Sequence, residues 1–142
     1  MTDWKSVGIG SLVNVVLTIL LGVIMFPLFF MGPVIGGLLT TYFSEENLVN
    51  RRNSTAGAAD GALSGVIGGL IIGLIFILGF GAISAIIGLV FTQIGAVFGT
   101  ITLITGMFIT LISVLIGGVL GAIGGVIGVS IREKESIQVK VN

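Results

Sequence analysis

Residues Gly61 to Ile131 read GALSGVIGGLIIGLIFILGFGAISAIIGLVFTQIGAVFGTITLITGMFITLISVLIGGVLGAIGGVIGVSI, 71 positions without one charged side chain. A second uncharged run, Val7 to Ser44, covers 38 positions. A bilayer core is roughly 30 Å thick and one helical crossing takes about 20 apolar residues, so the two runs hold about four or five crossings. Little chain remains for anything else. The fold class that follows is all-α: a polytopic transmembrane helical bundle, one integral membrane domain over residues 1–142.

Composition leads to the same place and closes other routes. Hydrophobic residues make up 55% and charged residues 8%, with a mean hydropathy of +1.25, whereas a soluble domain carries about 25% charged residues. The net charge is zero and the six Lys and Arg are dispersed, so no basic field exists to hold nucleic acid and no nucleic-acid partner is expected. The chain has no Cys and no His, which removes disulfides, thiolate chemistry and the commonest metal ligand and general base. Ser64 and Ser113 lie inside apolar spans with no base to activate them. Gly65-Val-Ile-Gly-Gly69 lacks the Gly-Lys-Ser or Gly-Lys-Thr that completes a phosphate loop. The expectation is a noncatalytic protein with no cofactor and no metal. Its expected partners are membrane lipids, with a homo-oligomer or another membrane protein as candidates.

The apolar run from Val7 to Phe30 is longer than a signal-peptide core of about 7 to 15 residues and meets no small-x-small cleavage site. It is predicted to be a retained first helix over 7–26. Pro27 and Pro33 mark a turn and open a second helix over 28–43. That helix is short for a crossing, about 18 to 24 Å, so a submerged turn, a thinned bilayer and a half-helix all stay open. A hydrophilic loop over 44–55 follows. The third helix is predicted over 58–81 and the last over 106–130, and the tail 131–142 returns to water with Arg132-Glu133-Lys134-Glu135. Between them, 82–105 is an apolar connecting segment carrying Ser84, Thr92, Gln93, Thr100 and Thr102. A buried hairpin, an interfacial helix and a fifth crossing are all compatible with it.

Charge placement favours four crossings. With four, Lys5, Arg51, Arg52, Arg132, Lys134 and Lys140 all fall on one side; five crossings would split the same six residues three against three. The positive-inside rule disfavours the split. Arg51, Arg52, Arg132 and Lys134 are therefore read as topology determinants in the cell membrane, with both termini and the 44–55 loop cytoplasmic. Trp4 and Tyr42 then share one interfacial belt.

Glycine supplies 24 of the 142 residues, and it is patterned. Gly57, Gly61, Gly65, Gly69 and Gly73 recur at every fourth position, a repeated GxxxG, and residues four apart share a helix face. Gly106, Thr110, Ser113, Gly117, Gly121, Gly124 and Gly128 form a second stripe at three-and-four spacing. A third runs through Ser84, Gly88, Thr92, Gly95, Gly99 and Thr102. Helices in lipid associate through close backbone approach rather than a hydrophobic drive, so the stripes predict glycine-zipper packing. Whether each stripe faces a helix of the same chain or of a second copy stays open.

Asp60 is the lone charge between Arg52 and Arg132. Rotor-ring subunits also repeat glycine, but they carry an ion-binding carboxylate at mid-membrane, and Asp60 stands at the start of the third helix. Two roles remain for it: a helix cap that accepts bonds from free N–H groups, or an ion site at the bundle mouth aided by Ser64.

Trp4-Lys5, the first helix, Gly32-Pro-Val-Ile-Gly-Gly37 with Thr41-Tyr42, the polar loop, and Ala59-Asp60-Gly61-Ala62-Leu63-Ser64-Gly65 together resemble a family of small archaeal membrane proteins, a domain-of-unknown-function family with four predicted spans. The resemblance covers most of the chain. It implies a four-helix integral membrane protein of unassigned activity and brings no catalytic residues. Two functions are carried forward: a noncatalytic packing or self-associating bundle, and a small channel or transporter for ions or small solutes.

Overall fold

The computed structural model describes residues 3–24, 30–44 and 54–141. These form four helices, α1 (Trp4–Ile24), α2 (Met31–Phe43), α3 (Ser54–Val90) and α4 (Thr92–Val141). Three of them, all but α2, are long and apolar enough to cross a membrane. α2 has 13 residues, about 20 Å at 1.5 Å per residue.

Local chemistry accounts for several ends. The Asp3 carboxylate accepts bonds from the backbone N–H of Lys5 at 3.1 Å and of Ser6 at 3.4 Å, and from the Ser6 hydroxyl at 2.9 Å. It therefore meets two of the donors that the first turn of α1 leaves open. Pro33 is the third residue of α2, where the N–H it lacks has no intrahelical partner to lose.

α3 begins at Ser54 rather than near 58 and continues past Gly81 to Val90; α4 begins at Thr92 rather than near 106. The segment 82–105 is thus helical on both sides of a reversal at Phe91, and it forms the distal end of an α3–α4 hairpin. The reason is physical. Apolar residues on every side leave no change of period, and no proline interrupts the run, so nothing ends α3 at Gly81 or delays α4 to Gly106, and both helices continue to the reversal. Ser84 and Thr102 hydrogen-bond across the hairpin at 3.0 Å, and Gly88 lies against Gly95 next to the turn. Of the predicted loop 44–55, Ser54 and Thr55 belong to α3. Residues 45–53, with Arg51 and Arg52, lie outside the described residues, as do Pro27 and its neighbours over 25–29.

α3 and α4 form the most extensive pairing, antiparallel, through successive small residues. A Cβ on Gly57 would lie 3.0 Å from the Gly125 carbonyl oxygen, and one on Gly69 would lie 2.7 Å from that of Ser113. Between them, Gly61 faces Gly121 and Gly65 faces Gly117, backbone to backbone, while Gly73 meets Thr110. α2 lies between α1 and α4. Its Gly36 faces Asn14 and Gly10 on α1, Gly37 faces Gly121, and Val34, Leu38 and Thr41 receive Gly124 and Gly128. Among the described residues no glycine has positive φ, so these glycines serve for their missing Cβ, not for unusual backbone conformations.

The distribution of polarity is inside out. Among the described residues the buried hydrophobic side chains are Val7, Val15 and Val129, whereas Ser6, Ser11, Asn14, Thr18, Thr40, Thr41, Ser44, Asp60, Ser64 and Ser84 are buried. Large apolar side chains such as Val23, Leu78, Ile86, Leu89, Phe91, Met107 and Leu115 are more than half exposed. Water would penalise that surface; hydrocarbon does not.

Candidate functional site

The buried polar groups gather where α1 meets α2 and α3. Gly10 opens the crossing. A Cβ there would lie 2.6 Å from the Gly36 carbonyl oxygen and 2.8 Å from Ser64 Oγ, and would also strike Thr40 Oγ1. One turn along, Ser11 donates its hydroxyl to the Val7 carbonyl at 2.7 Å and lies 3.2 Å from the Ser64 carbonyl, which ties α1 to α3. Asn14 follows, fully buried, its side chain held between Gly36 of α2 and Gly68 of α3. Its Oδ1 accepts the Thr18 hydroxyl at 3.0 Å, and Thr18 in turn packs on Gly32. Thr40 donates to the Gly36 carbonyl at 2.9 Å. Among the described residues, Asn14 Nδ2 and Ser64 Oγ reach no hydrogen-bonding partner.

Asn14 was not singled out by sequence reasoning. The signal was there: one amide inside a 21-residue helix that beyond Lys5 is otherwise apolar or small, and polar side chains within apolar helices hydrogen-bond between helices. Its partners, Gly36 and Gly68, are residues that only the folded chain brings to it. Replacing Asn14 with Leu removes an amide whose donor is unmet and frees Thr18 to bond its own helix, so stability should stay within about 1 kcal/mol of the parent. Asn14→Ala should cost about 2 kcal/mol by leaving a void between three helices. Unfolding in mixed micelles reads both, and a Leu variant weaker than the Ala variant would make the amide itself a binding group.

Beside this seam lies a cavity of about 210 Å³ lined from all four helices, including Asn14, Thr18, Phe30, Pro33, Ile72 and Ser113. Its walls are almost wholly apolar.

The residues singled out from sequence separate into groups. Gly57, Gly61, Gly65, Gly69, Gly73, Gly117, Gly121, Gly124 and Gly128 each face another helix at close range. Asp60 is 6% exposed and not a free carboxylate. It stands in the second turn of α3, because that helix starts at Ser54. The open N–H groups belong to the first four residues of a helix, and Asp60 lies beyond them. Ser64, one turn further, is fully buried. Arg132, read from sequence as a topology determinant, donates through Nη1 to the Ser44 carbonyl at 2.7 Å and lies 3.4 Å from that of Thr41, at the C-terminal end of α2. Lys134 is exposed. Among the described residues no three acidic side chains gather into a metal site.

Fold and site define a class: an all-α protein with three helices long and apolar enough to cross a membrane and a small, polar interior. The chain belongs to DUF5518, a family of unknown function, whose model matches residues 4–131. No curated protein and no solved structure matches it.

Proposed function

We propose that the chain is a noncatalytic, four-span integral membrane protein of the cell membrane, a glycine-zippered bundle whose work is close packing. The observation that carries this reading is the inside-out polarity, with Asn14, Thr40 and Ser64 fully buried while Leu89 is 85% and Val23 82% exposed. Four spans follow from where the charges lie. Ser11 beside Ser64 and Asn14 beside Gly68 make α1 and α3 parallel and put Lys5 near the level of Asp60. Arg132 at the end of α2 completes a charged end, and the opposite end, around Phe91, is apolar. A short α2 then crosses with local thinning of the bilayer, and the longer α3–α4 hairpin tilts. Single-cysteine probes at Asn53 and Ser136, in a chain with no native Cys, should react from the same, cytoplasmic side. Labelling from opposite sides would sink the four-span arrangement.

A second reading, a small channel or transporter, draws on the cavity and the short α2, since broken helices line many permeation sites. Asp60 with Ser64 would be its ion site. The packing reading expects no ion or small-solute flux from reconstituted liposomes. An active protein that Asp60→Asn silences without unfolding would reverse the order of the two readings. Because Gly57, Gly61, Gly65, Gly69, Gly73, Gly117, Gly121, Gly124 and Gly128 already face helices within the chain, self-association would use the exposed large side chains of the hairpin, such as Ile83, Ile86 and Ile101.

A further inference from the structure

We propose that the cavity between the four helices is a binding site for one hydrocarbon tail of a bilayer lipid, an inference that rests on the membrane reading above. The cavity of about 210 Å³ exceeds the roughly 150 Å³ that holds a benzene ring in an apolar engineered void. It is built for an apolar occupant: its wall is almost wholly apolar, and Phe30, Pro33, Ile72, Ile112, Ile116 and Gly69 are among its lining residues. Water needs two to four polar partners to stay in such a place. Of the groups here, the Thr18 hydroxyl is already given to Asn14 Oδ1, and Asn14 Nδ2, though unmet, is itself buried from contact.

Position selects the source of the occupant. Phe30 and Ile112 line the cavity and are 43% and 51% exposed, so its mouth opens on the outer, apolar face of the bundle and not on the charged end. Ile72 lies twelve residues along α3 from Asp60, about 18 Å, which in a core roughly 30 Å thick is tail depth and not headgroup depth. What meets the mouth there is acyl chain. Gly69 and Gly117 close one wall of the cavity by letting α3 and α4 approach backbone to backbone, the Gly69 Cβ position lying 2.7 Å from the Ser113 carbonyl oxygen and that of Gly117 2.5 Å from the Gly65 carbonyl oxygen.

The test uses full-length protein in vesicles of a phosphatidylcholine that carries a photoreactive diazirine within one acyl chain. After irradiation, adducts are mapped by peptide mass spectrometry. Carbene adducts on the buried lining residues Thr18, Pro33 and Gly69 are expected, with none on buried residues away from the cavity such as Gly57 and Thr41. Ser113→Leu should fill the space and abolish the lining adducts while outward residues such as Leu111 and Leu115 stay labelled and the buried seam residues Gly57 and Thr41 stay unlabelled, the protection of the last two showing that the variant folded. Outward adducts without lining adducts in the parent protein overturn the site. Absence of adducts on the outward faces as well overturns the membrane reading on which it rests. Lining adducts from a photoreactive free fatty acid but not from the phospholipid overturn the assignment to a bilayer lipid.

Discussion

Gly65→Ala is expected to destabilise the bundle by about 3 kcal/mol or more, the upper range for overpacking a tight interface. The reason is what the new methyl group meets. A Cβ on Gly65 would collide with the Gly117 carbonyl oxygen and lie 2.5 Å from the carbonyl carbon and 3.1 Å from the Gly118 nitrogen. All of these are backbone atoms of a facing helix, and a helix cannot yield locally as a flexible side chain can. Relief requires α3 and α4 to separate, and separation loses close contact at Gly61, Gly69 and Gly121 together. Gly65→Leu should therefore abolish the native bundle. Gly79 and Gly99 have nothing within 4 Å of the same position, so Leu at either should be silent or slightly stabilising, since Gly costs a helix about 1 kcal/mol relative to better helix formers. Unfolding of the four variants in mixed micelles reads the difference. Equal stability of Gly65→Ala and the parent would mean that the seam does not pack as described.

The contrast between Gly65 and Gly79 shows how far sequence reading reaches. Spacing by fours puts Gly57 through Gly73 on one face of α3, and the helix cannot present them otherwise. Which backbone arrives there is a property of the assembled chain. Gly121 faces both Gly61 of α3 and Gly37 of α2, so one glycine serves two neighbours, and no one-dimensional period encodes that. Apolar character on all sides made helices long and apolar enough to cross a membrane legible and hid the helix ends within 82–105, because a boundary shows only where composition changes. Asn14 was hidden for the opposite reason. One amide carries no period, and its role appears only when Gly36 and Gly68 close around it.

Arg132 is where the two levels of reading differ most, since any basic residue after an apolar run looks like a topology signal. Its contacts assign it a second task. α2 has no basic residue in its own last turn, and the last four carbonyls of a helix have no partner within it. The Arg132 guanidinium, arriving from 88 residues away, donates to the Ser44 carbonyl at 2.7 Å and reaches the Thr41 carbonyl at 3.4 Å. A cation at a helix C-terminus also opposes the negative end of the dipole. Together these terms predict that Arg132→Ala costs about 2 to 3 kcal/mol, from a charge-assisted bond worth about 1.5 to 3 and a smaller dipole contribution. Arg132→Lys should recover part of the loss, because an ammonium keeps the charge but not the planar fork. The measurement that separates the two roles pairs unfolding with cysteine accessibility. Lys5, Arg51, Arg52, Lys134 and Lys140 remain in the Ala variant, so the side on which Ser136→Cys reacts should not change while stability falls. A variant as stable as the parent but inserted in the opposite orientation would leave Arg132 a topology residue and remove it from the end of α2.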